Sequence, residues 1–229
     1  MIGYDNLLVN QELVLDLPFR EGTGTITADY SKVYANAPTL TGAPTWSFLG
    51  SDLNYLEFVP GNPDRIVILA ADSTALNFTS GDFSGAVWIS PHAYGNRYMM
   101  HKGAAGTGWG FWLDSASPYI VFTTEQAGPA YQSTDGCADL ALNAWQLVGF
   151  TRDGAAGRVY LNGRDKTVTP ATHVNPVSAA AGDFYIGTTV GGGAGWYDGY
   201  MWRPRVWKRA LSAAEMLAIY EAERGLLGV

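Results

Sequence analysis

Cleavage of a glycosidic bond needs two carboxyl groups facing each other across the sugar. The closest acidic groupings in this chain are Glu221/Glu223 and Asp135/Asp139. The first pair falls on a C-terminal helix and the second in a glycine-containing loop. Neither projects from one face of an alternating strand, so both read as solvated acids. The histidines are His92, His101 and His173, and no Gly-x-Ser-x-Gly elbow accompanies them. A lone histidine is more often a surface or satisfied core residue than a base. Cys137, the single cysteine, has Gly136 and Ala138 as neighbours and no nearby His or Lys to hold it as a thiolate. These residue types argue against an enzyme.

They argue better for binding. Trp109, Trp112, Tyr94, Tyr98, Trp196, Tyr197 and Trp202 lie near glycine-rich stretches. Sugar rings stack on flat aromatic faces flanked by polar groups, and an exposed aromatic patch equally marks a protein interface. By alternation, Trp88, Trp145 and Trp109 are expected in the core. Trp196 and Tyr197 directly follow the glycine run 191–195 and are expected to be exposed. With Trp112 and Tyr94 they form the candidate ligand-binding set. Residue type alone does not separate a sugar from a protein partner.

Composition narrows the class. The 229 residues suit one large domain spanning 1–229. Charged residues make up only 15%, and 28 glycines imply many turns. A net charge of −7 with no basic run excludes a nucleic-acid footprint. The N-terminus MIGYDNLLVN lacks a basic region followed by an apolar core, and no apolar run approaches a membrane span. A soluble chain without a signal peptide is expected.

The elements that would position these residues read as β. Residues 12–19 alternate Leu13, Leu15 and Leu17 inward as a first strand. Asn162-Gly163 between β-prone runs is a hairpin signal, because both residues must take positive φ. Residues 128–140 read as an irregular excursion. Tyr200 to Lys208 forms the terminal strand, with Tyr200, Trp202, Pro204 and Val206 on one face and Met201, Arg203, Arg205 and Trp207 on the other. Pro204 has no ladder donor, so this strand is expected at an edge or bulged there. Ser212-Ala213-Ala214-Glu215 is a capping box opening one helix over about 213–224, with Gly225 placed for a left-handed cap.

The run DGYMWRPRVWKRALSAAE (198–215) resembles the last strand and capped helix of laminin-G-like, concanavalin A-like domains. Asp198, Gly199, Arg205, Val206, Arg209, Ala210, Leu211, Ser212 and Glu215 fall on that pattern. Leu17, Phe19, Glu21, Gly22, Gly24, Asp29 and Ser31 match its opening strand. Phe83, Trp88 and Pro91, then Tyr160, Asn162 and Gly163, then Ile186-Gly187, match later landmarks in order.

The resemblance implies an all-β fold, a two-sheet antiparallel jelly-roll sandwich with strands over about 12–208 and one short C-terminal helix. The Glu-x-Asp-x-x-Glu pattern of that family's laminarinase-like enzymes is absent. Many relatives bind calcium, for which Asp29, Asn62, Asp64 and Asp198 are the matching oxygen ligands. Trp202-Arg203 stands where relatives carry an acidic pair, and the four could equally cap turns. The resemblance therefore implies a non-catalytic module binding a glycan or a protein surface. A low-charge, glycine-rich chain starting at Met1 without a leader also suits a bacteriophage virion protein, a capsid decoration or tail-associated subunit, with homo-oligomers or capsid and tail proteins as partners.

Overall fold

The computed structural model describes residues 8–31, 36–50, 53–104, 106–115, 118–126, 131–137, 139–189, 191 and 193–229. Residues 1–7, read for a signal peptide, and 128–130 and 138 of the expected excursion lie outside these.

Among the described residues, sixteen strands form two antiparallel sheets, eight in each. In the first sheet the order is β13 (Arg164–Asp165), β12 (Ala156–Leu161), β11 (Gln146–Asp153), β6 (Phe83–Pro91), β16 (Gly199–Trp207), β4 (Leu53–Phe58) and β3 (Thr45–Leu49). β1 (Leu13–Asp16) also pairs with β16. In the second the order is β14 (Thr167–Thr169), β10 (Tyr131–Gly136), β9 (Ile120–Glu125), β8 (Trp109–Leu113), β7 (Arg97–Lys102), β15 (Phe184–Ile186), β5 (Arg65–Ile68) and β2 (Thr39–Thr41). Sequence neighbours lie on opposite sheets often enough to build the expected sandwich.

The core lies between the sheets and is aromatic. Phe122 and Phe150 stack at 4.4 Å, Phe78 and Phe83 at 4.3 Å, and Trp109 meets Phe83, Phe150 and Phe184. Glycine makes room where rings cross: a Cβ on Gly85 would sit 2.4 Å from the Phe150 ring. The Asn162-Gly163 hairpin forms as expected, with φ of +50° and +73°.

Strand β16 departs from simple alternation. It is central, flanked by β6 on one side and by β4 and β1 on the other, so of the two expected positions the edge is excluded. The bulge is present. Trp202 pairs with Trp88 and Arg205 with Ala86, so Arg203 and Pro204 together stand opposite Val87. Arg203 adopts φ +52°, and Pro204 has no N–H to lose from the ladder. The extra residue reverses the parity beyond it: Trp202 and Arg205 share the outer face, and Val206 turns inward.

The helix α1 (Ala213–Glu223) covers that outer face. Its capping box forms, Ser212 Oγ accepting from the Glu215 amide at 3.2 Å and the Glu215 carboxylate accepting from the Ser212 amide at 2.9 Å. Gly149 lets it approach, since a Cβ there would lie 3.2 Å from the Met216 sulfur. Tyr220 stacks on Trp88 at 5.7 Å. Gly225 is not the left-handed cap; the helix continues into a 3₁₀ turn (Arg224–Leu226), and Gly228 takes φ +73°.

Glu223 is no solvated acid. It is buried, receives the Arg205 guanidinium through two hydrogen bonds (2.8 and 2.7 Å), bonds Arg203 at 2.6 Å and accepts from Trp88 Nε1 at 2.8 Å. Arg203 also reaches Asp16 at 3.1 Å. This explains why β1 is buried on both faces, Asp16 included, rather than alternating.

Candidate functional site

The outward face of the second sheet gathers aromatic side chains. Met100, Phe111, Phe122, Phe184 and Ile66 point into the core, and the residues between them face out. One outward rung runs Val67, Tyr185, His101, Gly110, Thr123, Ser133 across neighbouring strands. The adjacent rung runs Tyr98, Trp112, Val121, Asp135.

A bulge joins the two rungs. Tyr98 pairs with Trp112 and Met100 with Phe111, so β7 gains a residue at Met99. Without it, alternation would send Tyr98 and His101 to opposite faces. With it, their rings meet at 5.6 Å. Tyr98 stacks on Trp112 at 4.9 Å and 25°, and Tyr131 approaches Trp112 at 6.3 Å. Gly110 forms the floor, where a Cβ would meet His101 and Tyr98 at 3.2 Å.

Tyr131 is exposed, Tyr98 half-buried and Trp112 8% exposed, so the row rises from the sheet toward β10. Polar groups border it: Glu125, Ser133 and Asp135 on one side, Tyr185 and Asp183 on the other. A shallow cavity of 350 Å³ lined by Thr39, Thr41, Arg65, Asp183 and Tyr185 extends the face. A larger recess, 970 Å³, lies instead along residues 155–172 and carries no aromatic ring. Its Arg158 and Asp165 pair with each other at 2.7 Å. Ring chemistry, not size, points to the aromatic face.

Burial sets the protonation of this face. His101 is held down to about 4 by desolvation, so it is neutral at pH 7. Its Nδ1 is buried and has no hydrogen-bond partner. Desolvation likewise raises Glu125, and it raises Tyr98 and Tyr131 with help from the Glu125 carboxylate.

The sequence-derived ligand set is only partly assembled. Trp112 is in the row. Trp196 is half-buried at the end of the face, its ring 5.8 Å from the Arg65 guanidinium and its carbonyl accepting from Arg97 at 2.9 Å. Between them, Gly195 is tucked so closely that a Cβ would lie 2.6 Å from the Tyr98 ring.

The other two members lie elsewhere. Tyr197, expected to be exposed, is 1% exposed, packing on Phe58 at 6.1 Å and donating to the Tyr200 carbonyl at 3.3 Å. The alternation that places Trp196 outward turns its neighbour inward. Tyr94 packs against the core and donates to the Leu140 carbonyl at 2.7 Å. Trp202 is buried with Nε1 on the Pro18 carbonyl, and Trp145, expected in the core, is half-buried.

His101, Tyr98 and Tyr131 were not in the set. Their signal was faint: residues 131–136 are strand β10 rather than irregular loop, so Asp135 lies on a strand after all, and a bulge leaves no trace in alternation.

The residues matched to calcium do not fit a cation shell. Asp29 accepts from the amides of Asp16 and Ser31, the Ser31 hydroxyl and the Asn36 side chain. Asp64 accepts from the amides of Ala43 (2.7 Å) and Val59 (2.9 Å). Asn62 is exposed on the turn, and Asp198 sits 3.5 Å from His92. Among the described residues no three His, Cys, Asp or Glu side chains are grouped to hold a metal. Asp29 and Asp64 tie loops to strands through the hydrogen bonds that capping acids make.

Two antiparallel sheets packed as a sandwich and closed by one short C-terminal helix define the class of fold. Residues 67–216 match the model of the concanavalin A-like lectin/glucanases superfamily, and the chain belongs to this family. No curated protein sequence matches the chain.

Among solved structures, the botulinum neurotoxin serotype G binding domain shares 15% identity at a TM-score of 0.69, covering 92% of this chain and 51% of that one. Botulinum neurotoxin type C, which enters cells in dependence on two ganglioside molecules, gives 14% and 0.70, with 94% and 52% covered. The serotype D ligand-binding domain in complex with N-acetylneuraminic acid gives 12% and 0.68, with 93% and 52% covered. The chain thus spans about half the length of these domains, and the likeness is one of fold. Among the described residues no helix is long and apolar enough to cross a membrane.

Proposed function

We propose that this chain is a non-catalytic carbohydrate-binding module whose ligand is a neutral oligosaccharide laid across the outer face of the second sheet. The observation that carries this is the row Tyr98–Trp112–Tyr131, rising from the sheet to the exposed Tyr131 ring. Aromatic faces accept the C–H side of a sugar ring. Thr123, Ser133 and Asp135 border the row for further hydroxyls.

The charge on the face selects among glycans. Glu125, Asp135 and Asp183 border it, with Arg65 at one end, in a chain of net charge −7. Similar folds include a domain that binds the acidic sugar N-acetylneuraminic acid. Here the carboxylates repel such a ligand, so an uncharged hexose chain is the better fit.

Calorimetric titration of neutral and sialylated oligosaccharides into wild type and Tyr131→Ala tests this. Tyr131 is 47% exposed, so its removal leaves the fold intact. Binding of the neutral series, weakened about ten-fold by the substitution, supports the reading. Binding of the sialylated series alone, or no sugar binding, refutes it.

A further inference from the structure

A second aromatic cluster lies on the other side of the sandwich, on the outer face of the first sheet. Tyr55 of β4 meets Trp145 at 5.3 Å and Tyr200 of β16 at 5.1 Å, both edge-on. Trp145 and Tyr200 are 29° from parallel at 6.2 Å, and His92 abuts Tyr200 at 4.7 Å. All four are half-buried. The β-ladder fixes the arrangement. Tyr200 stands between Ser90 and Glu57, and Ser47 is paired with Tyr55.

Its charge is one-sided. Glu57 is next to Tyr200 on the same face, half-buried, with no hydrogen bond or ion pair among the described residues. Asp198, whose side chain is 25% exposed, lies 3.5 Å from His92. Among the described residues, no Lys or Arg pairs with Glu57 or Asp198 or lies over these rings. Aromatic faces and carboxylates attract the same kind of group: the ring quadrupole and the carboxylate both favour a cation.

We infer that this face is a docking surface for a basic polypeptide segment, a lysine or arginine of the partner lying against Trp145 and Tyr200 between Glu57 and Asp198. Charge complementarity chooses this occupant: Glu57 has no ion-pair partner among the described residues, and the ring faces beside it favour a cation. The site is independent of the glycan face. It lies on the opposite sheet, and each can fail without the other.

The test is titration of a hexa-arginine peptide, at low and at physiological salt, into wild type and three variants: Glu57→Gln, Trp145→Ala and Asp72→Asn. Asp72 is an exposed acid on the turn after β5 and controls for diffuse attraction to the net negative charge. The expected result is peptide binding weakened about five-fold or more by Glu57→Gln and by Trp145→Ala and unchanged by Asp72→Asn. Glu57→Gln changes charge without volume, so it reports even if Trp145→Ala fails to fold. Three results would overturn the inference: no peptide binding at physiological salt, binding weakened equally by all three variants, or neutral oligosaccharide binding that Trp145→Ala abolishes.

Discussion

Tyr98 and Trp112 stack 4.9 Å apart across the β7–β8 pair, and the bulge at Met99 sets His101 beside them. The proposed glycan site is therefore a property of backbone register as much as of side-chain identity. Deleting Met99 is expected to restore plain alternation, turning one of the two rings inward. Loss of sugar binding with the sheet retained by circular dichroism is the expected outcome. Unchanged affinity would separate the site from the bulge.

The Arg203–Arg205–Glu223–Asp16 cluster fastens α1 and β1 to the sheet. Breaking a buried pair by removing one partner strands the other charge and typically costs about 3–5 kcal/mol. Glu223→Gln leaves Arg205, itself 2% exposed, without its carboxylate. A loss of that size is expected in denaturant unfolding. Glu221→Gln, which removes an exposed pair with Arg224, is expected to change stability by less than about 1 kcal/mol.

Two buried histidines make the fold acid-sensitive. His173 sits between the hydroxyls of Thr124 and Thr134 at 2.8 and 2.7 Å, and burial holds it, like His101, at about 4. A folded pKa below the unfolded value of about 6.5 gives stability that is full above 6.5 and lost as the pH falls toward 4. Each contributes on the order of 3 kcal/mol over that window. Asp16 works in the opposite sense. Raised to about 7 mainly by burial, it favours the fold at low pH and loses that contribution as the pH rises from about 4 through 7. His173→Gln keeps the hydroxyl contacts and is expected to flatten the acid limb of the melting-temperature profile. An unaltered limb would assign it to other groups.

Gly85 tests the core packing. Alanine there would press a methyl group to within 2.4 Å of the Phe150 ring, which stacks on Phe122. Overpacking of this kind costs about 1–3 kcal/mol. A corresponding drop in thermal midpoint is expected for Gly85→Ala, and no drop would mean the ring moves freely.

The architecture was readable because its signals are local. The capping box at Ser212–Glu215, the Asn162-Gly163 turn and the family's landmarks each depend on a few adjacent residues. The site was less readable because its determinants are not. The bulges at Met99 and Arg203 break the alternation from which faces are read: Trp202 and Arg205, read onto opposite faces, share one, and an extra residue in β7 is what brings His101 to the side of Tyr98. Glu223 reads as a surface acid until a strand eighteen residues earlier supplies Arg205. Asp29 and Asp64 match a cation site by position, yet their oxygens already accept from backbone amides and, for Asp29, from the Ser31 hydroxyl and the Asn36 amide, partners that are distant in sequence or invisible to spacing.

The central claim, sugar binding on the row Tyr98–Trp112–Tyr131, is tested most directly by a glycan array probed with wild type and Trp112→Ala. The account predicts that wild type retains neutral oligosaccharides and that Trp112→Ala, folded by circular dichroism, loses them. Retention of no glycan by wild type, or the same glycans retained by Trp112→Ala, would contradict it.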